Sequence, residues 1–570
     1  MSRAWWRRAS SVRLPATLRS IRRLTLLLFA LVLAPASRVE AELALPVSDA
    51  ARLAAAADAI DALEVDAAAK LLGAIRNEGP AVRFERARLA LYRGDCSAAR
   101  TILSSPAFAG KNEAARLYEL AEACAGALSD AREIEDRERG IAVRLQDDRD
   151  EALVPFIVDV AARSRDAMRR QLGVQLPRPL RVDLVRDNFS LSAVTGLPLQ
   201  AAETTGTVAV ARWGRVVMMS PRAAPHGYPW QDTLAHEIVH LALTQATGDH
   251  APLWLQEGLA KINETAWREA RPFDGQPDAD DVAARALSEG HSVGIDSIGP
   301  SIAMLPSPEQ ASIAYAEVES FVRFWTETNG KAALELLLRD LRGLGTDALD
   351  RAMVSVTGYG LDTWMRRWQE ELRRRGALPP DSAASRKRSR GQRGAVALLR
   401  LGDLLAEGRH FAPAALEFEK ADSEHPAHPG IRWKLARSLA LTQQQDLARE
   451  RLGSLTDLAG PHAGWLAMRG ILTPDYEGRT NDFEWAVGLH PYLAEAACRS
   501  LPGMEPMNLR IDPDSGAAPP TGAEESAGHS FLSTNEEEWH PAANSGPASG
   551  GPPPDAWEAL CHEAGYVSGD

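Results

Sequence analysis

Cysteine is scarce in this chain. Its 570 residues hold four, Cys96, Cys124, Cys498 and Cys561, and none sits in a C-x-x-C pair. A zinc site built from cysteine pairs is thereby excluded. Long apolar runs are also lacking. The run Leu24–Ala36 is too short to cross a bilayer comfortably, and no second run of membrane length follows. Nor is there a basic excess. Lys and Arg number 64 against 77 Asp and Glu, a net charge of −13, and no basic face points to nucleic acid.

What is present is enough apolar material for several cores. The chain is 45% hydrophobic and 25% charged, and its length suggests about four domains. Residues 1–41 read as a signal peptide: a basic start (Arg3, Arg7, Arg8, Arg13, Arg19, Arg22, Arg23), the apolar run, then small residues at Ala34-Pro-Ala36 and Val39-Glu-Ala41. Export to a bacterial periplasm or beyond is the expectation, with no transmembrane segment in the mature chain. No cysteine follows closely, which excludes lipidation there. In an oxidising compartment the spacing favours disulfides Cys96–Cys124 and Cys498–Cys561, with buried free thiols as the alternative.

The chemistry concentrates in Thr233-Leu-Ala-His-Glu-Ile-Val-His-Leu-Ala-Leu243. Apolar residues flank His236-Glu237-x-x-His240, as in a core helix. Side chains four apart share one helical face, so His236 and His240 can hold one metal ion. Glu237 is placed to act on water there. A third ligand is needed. Gly248 is a natural left-handed end for this helix. It lies roughly 12 Å along the axis from His240, which carries Asp249 and His250 away from the metal. Leu243 and Ala246 stand where a metzincin needs Gly and His. Pro252 suits the first turn of a returning helix, and Glu257 follows in Trp254-Leu-Gln-Glu-Gly-Leu-Ala260.

Here the sequence resembles the gluzincin metallopeptidases, and most closely their peptidase MA-like branch. Trp254, Glu257, Gly258 and Ala260 match W-x-x-E-G-x-A, whose Glu completes a zinc site. The resemblance covers residues 150–375. It implies Zn2+ on His236, His240 and Glu257, with Glu237 as base in metal-assisted hydrolysis of peptide bonds. It also suggests Glu264 as a partner to a zinc-bound imidazole; a solvated carboxylate is the plainer reading. The stretch Ala314-Tyr-Ala-Glu-Val-Glu-Ser-Phe-Val322 resembles a further family segment. By that resemblance Tyr315 donates to the oxyanion, although Val318 stands where the family often has a small residue. A core tyrosine is the other reading.

Alternating residues predict strands at Leu180–Val185, Thr207–Ala211 and Arg215–Ser220. In this fold an edge strand commonly receives the substrate backbone. Arg215–Ser220 is the candidate edge, with an internal place equally open. His226 reads as a loop residue. Residues 265–310 look irregular and should roof the cleft. Trp364 and Trp368 read as packing.

Residues 45–145 are Ala- and Leu-rich and read as stacked helices. Ala87-x-x-Ala90, Arg93-Gly94-Asp95, Ala98-Ala99 and Leu103 look like a tetratricopeptide repeat. They would serve as a binding solenoid or a plain spacer. The pattern is clearer in residues 395–500: Gly402, Ala414 and Phe418 recur as Ala436, Ala448 and Leu452, 34 residues on. Residues 379–394 form a basic linker, and 501–570 a largely disordered tail in which Trp557–Tyr566 could dock. The fold class expected is therefore mainly α, with a small α+β zincin domain and helical, tetratricopeptide-like repeats on both sides. The function expected is an exported zinc endopeptidase acting on protein or peptide, with a possible protein partner on the repeats. The rival is a non-catalytic repeat scaffold whose zincin domain holds metal but is inactive.

Overall fold

Ala- and Leu-rich stretches closed by glycine make this chain mainly helical, around one small mixed sheet. The computed structural model describes residues 47–491 except 225–226, 276, 345–348, 376–394, 396, 407, 459 and 474–477. It adds a short antiparallel pair, Met504–Pro506 with Tyr566–Ser568. Residues 1–46, with the stretch expected to be a signal peptide, residues 379–394, His226, Cys498, Cys561 and the rest of the tail lie outside the described residues.

The sheet contains β1 (Arg132–Asp136), β2 (Ile141–Leu145), β3 (Leu180–Val185), β4 (Ala209–Arg212) and β5 (Arg215–Met219), in the order β1-β2-β3-β5-β4. The three central strands run parallel, and each outer strand is antiparallel to its neighbour. Two sequence expectations change. The hairpin β1–β2 falls inside the stretch expected to be helical repeat. Arg215–Ser220 is not the edge: β5 lies between β3 and β4, and β4 is the edge. Two adjacent strands with similar apolar alternation do not reveal which of them is flanked.

Both faces of the sheet are covered, as buried parallel strands require. Val182, Leu184, Val216 and Met218 face the helices Val154–Leu172 and Trp230–Thr247. Val185 and Val217 face a second core with Leu91, Cys96, Ala99, Leu117 and Ala121. The helices Pro80–Tyr92, Cys96–Leu103 and Asn112–Ala127 therefore pack on the sheet, and Cys96 is disulfide-bonded to Cys124. In this second core lies the fully buried Arg215. Its Nε is 2.9 Å from Asp183 Oδ2, and its Nη1 donates to the Leu91 carbonyl at 3.1 Å. Its Nη2 faces the two disulfide sulfurs at 3.6 and 3.5 Å. Burial lowers the pKa of this guanidinium, and Asp183 opposes that.

In the C-terminal part, Phe411–Glu424, Pro429–Leu441, Gln445–Leu452, Ala463–Leu472 and Arg479–Leu489 are helices. Ala414, Phe418, Ala436, Ala448 and Leu452 are buried in their shared core. Gly402 is small because the Phe418 ring lies against it. This core extends onto Ala152 and Phe156 beside the sheet. It also reaches the start of helix Trp230–Thr247, where the fully buried Trp230 donates its indole N–H to the Val487 carbonyl at 3.2 Å. The stretch 265–310 is less irregular than expected, since it contains the helix Ala279–Glu289. Trp364 and Trp368 are buried, as packing requires.

Replacing Asp183 with Leu keeps the branching of the side chain but strands the Arg215 charge. Breaking a buried pair costs about 3–5 kcal/mol, so Asp183→Leu should unfold at a clearly lower urea concentration than wild type. A shift worth less than about 1 kcal/mol would mean that the carbonyl and disulfide contacts suffice.

Candidate metal centre

The HExxH segment lies on helix Trp230–Thr247, ended by Gly248 at φ 60°. Pro252 then starts a second helix, Leu253–Asn263, which carries Glu257. These two helices bring together the three ligands expected from the sequence. Glu257 Oε2 lies 3.6 Å from His236 Nε2 and 3.5 Å from His240 Nε2. All three donor atoms fall within 4.8 Å of one another. A tetrahedral zinc with bonds near 2.05 Å separates its ligand atoms by about 3.4 Å. The observed spacings fit a zinc-sized ion, although the identity of the metal does not follow from them.

Close helix contact makes this possible. A Cβ on Gly258 would meet the side chain of Val322 and would lie 2.5 Å from the Val318 carbonyl oxygen. Only glycine lets Leu253–Asn263 lie this close to the helix Pro308–Asn329. Trp254 packs edge-on against Phe321 of the same helix, ring centroids 5.1 Å apart. The Gly and the Trp of the W-x-x-E-G-x-A segment therefore serve packing, and the Glu serves the site.

Glu264 also stands at the site. Its Oε2 is 3.0 Å from His236 Nδ1, and its Oε1 is 2.5 Å from Lys261 Nζ. A proton donated from Nδ1 leaves the Nε2 lone pair turned toward Glu257 and His240. His240 Nδ1 is buried and has no hydrogen-bond partner among the described residues. Tyr315 lies on the other side of His236, ring centroids 6.4 Å apart. Burial first, then Glu257, Glu237 and Glu264, raise its hydroxyl well above the usual range, so it stays a donor.

Glu237 and Glu257 are each 8% exposed, and His240 is 7% exposed. Burial alone would lower the pKa of His236. The carboxylates of Glu257 and Glu264 overcome this and raise it to about 10. Burial likewise works against ionised Glu257, yet the two imidazoles hold it far below the carboxylate range. Where an ion displaces the imidazole protons, Glu237, Glu257 and Glu264 set three carboxylates against the one ammonium of Lys261, a balance that suits a divalent cation. The carboxylates beyond this group have partners of their own: Glu319 has Arg323 at 3.1 Å and Asp232 has Arg268 at 2.7 Å.

Glu237 does not point at the ligands. Its Oε2 accepts a hydrogen bond from the Ala211 amide at 2.5 Å. Val208 pairs with β5 through its carbonyl, which accepts from Met219 N at 2.7 Å. By alternation along an antiparallel edge, the backbone groups of Ala209 and Ala211 turn outward. The outer edge of β4 thus faces Glu237. Sequence reading missed the Ala211 amide, because a backbone group carries no residue signal. It missed Lys261 too, although its position four after Glu257 and three before Glu264 was a usable sign.

The rejected ligands lie elsewhere. His250 Nδ1 is 2.9 Å from the Thr247 carbonyl, closing the end of the first helix. Asp249 follows Gly248 with φ 64°. In zinc titration of purified variants, Glu257→Ala should weaken binding by more than about 100-fold, beyond what loss of an outer partner costs. His250→Ala and Asp249→Ala should bind as wild type does. Strong loss in His250→Ala with Glu257→Ala silent would refute this ligand set.

No family model matches this chain, and no curated protein matches it, so what the site does must be read from its own groups.

Proposed function

We propose that the chain is a zinc-dependent endopeptidase that hydrolyses peptide bonds with Glu237 as base. One observation carries this reading: a His-His-Glu donor set within 4.8 Å, with a further carboxylate beside it that an edge-strand amide holds. His236, His240 and Glu257 would hold the ion. Zinc there would supply Lewis acidity toward water and toward a carbonyl oxygen. Every other part of the chemistry is assigned to side chains and backbone of this chain.

Glu237 accepts the proton of the attacking water and returns it to the leaving amine. Its carboxylate starts from a fixed place, held by the Ala211 amide. An extended peptide adds along β4 through the outward groups of Ala209 and the Ala211 carbonyl, the Ala211 amide being taken by Glu237. Tyr315, kept protonated by burial and by the neighbouring carboxylates, donates to the oxygen on which negative charge develops. Glu264 holds His236 by Nδ1. The resemblance to the gluzincin, peptidase MA-like family supports the same roles for His236, Glu237, His240, Glu257 and Tyr315.

Export by the N-terminal segment completes the reading, and a disulfide between Cys96 and Cys124 is in keeping with it. The N-terminal helices have one face committed to the sheet, which points to a structural role for them. Recruitment of substrate or partner then falls to the C-terminal helices. There a groove runs between Leu416, Leu435, Leu439 and Leu447.

The deciding variant is Glu237→Gln, which keeps shape and removes the proton acceptor. It should retain zinc and lose hydrolysis of an unfolded protein by about 10²–10⁴-fold. Equal rates would refute the mechanism. A wild type that binds zinc and hydrolyses nothing would favour the inactive scaffold instead. Tyr315→Phe should lower kcat by about 10²–10³-fold with KM nearly unchanged; an unchanged kcat would return Tyr315 to a packing role.

A further inference from the structure

We propose that Lys261 is a positioning residue for the metal centre, acting on His236 through Glu264. The inference rests on the zinc-site reading above. Glu257, Lys261 and Glu264 fall at positions i, i+4 and i+7, on one face of helix Leu253–Asn263 and its last turn. Lys261 Nζ takes one oxygen of Glu264 at 2.5 Å, and His236 Nδ1 takes the other at 3.0 Å. A carboxylate held at both oxygens cannot rotate away from the imidazole. Without the ammonium, Glu264 Oε1 loses its partner and the side chain is free to turn toward solvent, to which 22% of it is already exposed.

Other carboxylates face Lys261 as well. Glu319 from helix Pro308–Asn329 and Asp232 from helix Trp230–Thr247 both act on it. Each of these has an arginine of its own. Asp232 accepts from Arg268 at 2.9 and 2.7 Å, and Glu319 from Arg323 at 3.1 Å. Glu264 differs. Apart from His236, Lys261 is the one cationic side chain within ion-pair distance of it among the described residues. The anchoring of Glu264 is therefore where loss of Lys261 should be felt.

The sign of the effect separates this role from a bystander charge. Removing a positive charge near a dication strengthens cation binding, by Coulomb's law. Losing the outer partner of a ligating imidazole weakens binding by about 10–100-fold, and losing the anchor of that partner should cost part of this. The two effects oppose each other, so weaker binding can come only from lost positioning. A lysine that merely staples the helices together would lower stability but would not need Glu264 to do so.

The test is zinc affinity of the full chain, read by competition with a chromophoric chelator. Compared are wild type, Lys261→Met, Lys261→Arg, Glu264→Ala and the double variant Lys261→Met/Glu264→Ala. Thermal unfolding of each metal-free protein reports the fold, and Lys261→Gln replaces Lys261→Met if the latter does not fold. Lys261→Met should weaken zinc binding by about 10-fold, and Lys261→Arg should recover most of that. In the Glu264→Ala background, Lys261→Met should change affinity by less than about twofold, since the coupling partner is gone. Unchanged or tighter binding in Lys261→Met, or an equal loss in both backgrounds, overturns the inference while the zinc site stands. A wild type that takes up no zinc overturns both.

Discussion

Three carboxylates, Glu237, Glu257 and Glu264, lie close to two imidazoles in a largely buried region, and like charges there repel. Much of the surrounding structure exists to hold that arrangement. Lys261 and the Ala211 amide each take one carboxylate oxygen. His236 and His240 share the third carboxylate between them. The donor atoms of His236, His240 and Glu257 lie within 4.8 Å of one another, a spacing at which they could hold one small ion.

Geometry has to be kept rigid for this to work. Helix Trp230–Thr247 is packed on the sheet by Leu234, Ile238, Leu241 and Ala242. Its first turn is fixed from two sides. Trp230 reaches the C-terminal helices through Val487, and Asp232 binds Trp267 and Arg268. Arg268 in turn holds Asp274, next to Phe273, whose ring lies 6.4 Å from that of Trp485. The helices that look like a separate module in the sequence are thereby continuous with the support of the site. The N-terminal helices are equally committed, because Arg215 ties them to the sheet.

Local chemistry was legible in the sequence, and long-range placement was not. His236, Glu237 and His240 could be picked out by helical spacing, the stop at Gly248 set Asp249 and His250 aside, and Glu257 came from the resemblance of Trp254–Ala260 to W-x-x-E-G-x-A. Glu264 followed by the same periodicity. The strand order could not be read. β4 and β5 are short and similarly apolar, and which of them forms the edge depends on where β3 pairs. The hairpin β1–β2 was hidden by its charges, since Arg-Glu-Ile-Glu-Asp has a single apolar residue and follows directly on an Ala-rich helix. Arg215 reads as the start of a strand; only the second layer of helices makes it a buried ion. The 34-residue recurrence did mark buried positions correctly, yet it said nothing of the docking through Trp230 and Val487.

Glu237 bears most directly on the choice between enzyme and scaffold. It is not among the ligands and adds nothing to the coordination of an ion. A buried carboxylate costs stability unless it is paired, and here its pairing is a single edge-strand amide. A chain that needed the metal only to hold its fold would be more stable with an apolar residue at this position. The same holds for Tyr315, whose hydroxyl stands among carboxylates that disfavour its ionisation, and for the edge of β4, which turns its Ala211 amide to Glu237 instead of to another strand. Each of these features costs stability, and all three face the same few ångströms of space. The proposed hydrolysis, which needs a base, an oxyanion donor and an edge for an extended chain, would account for them together.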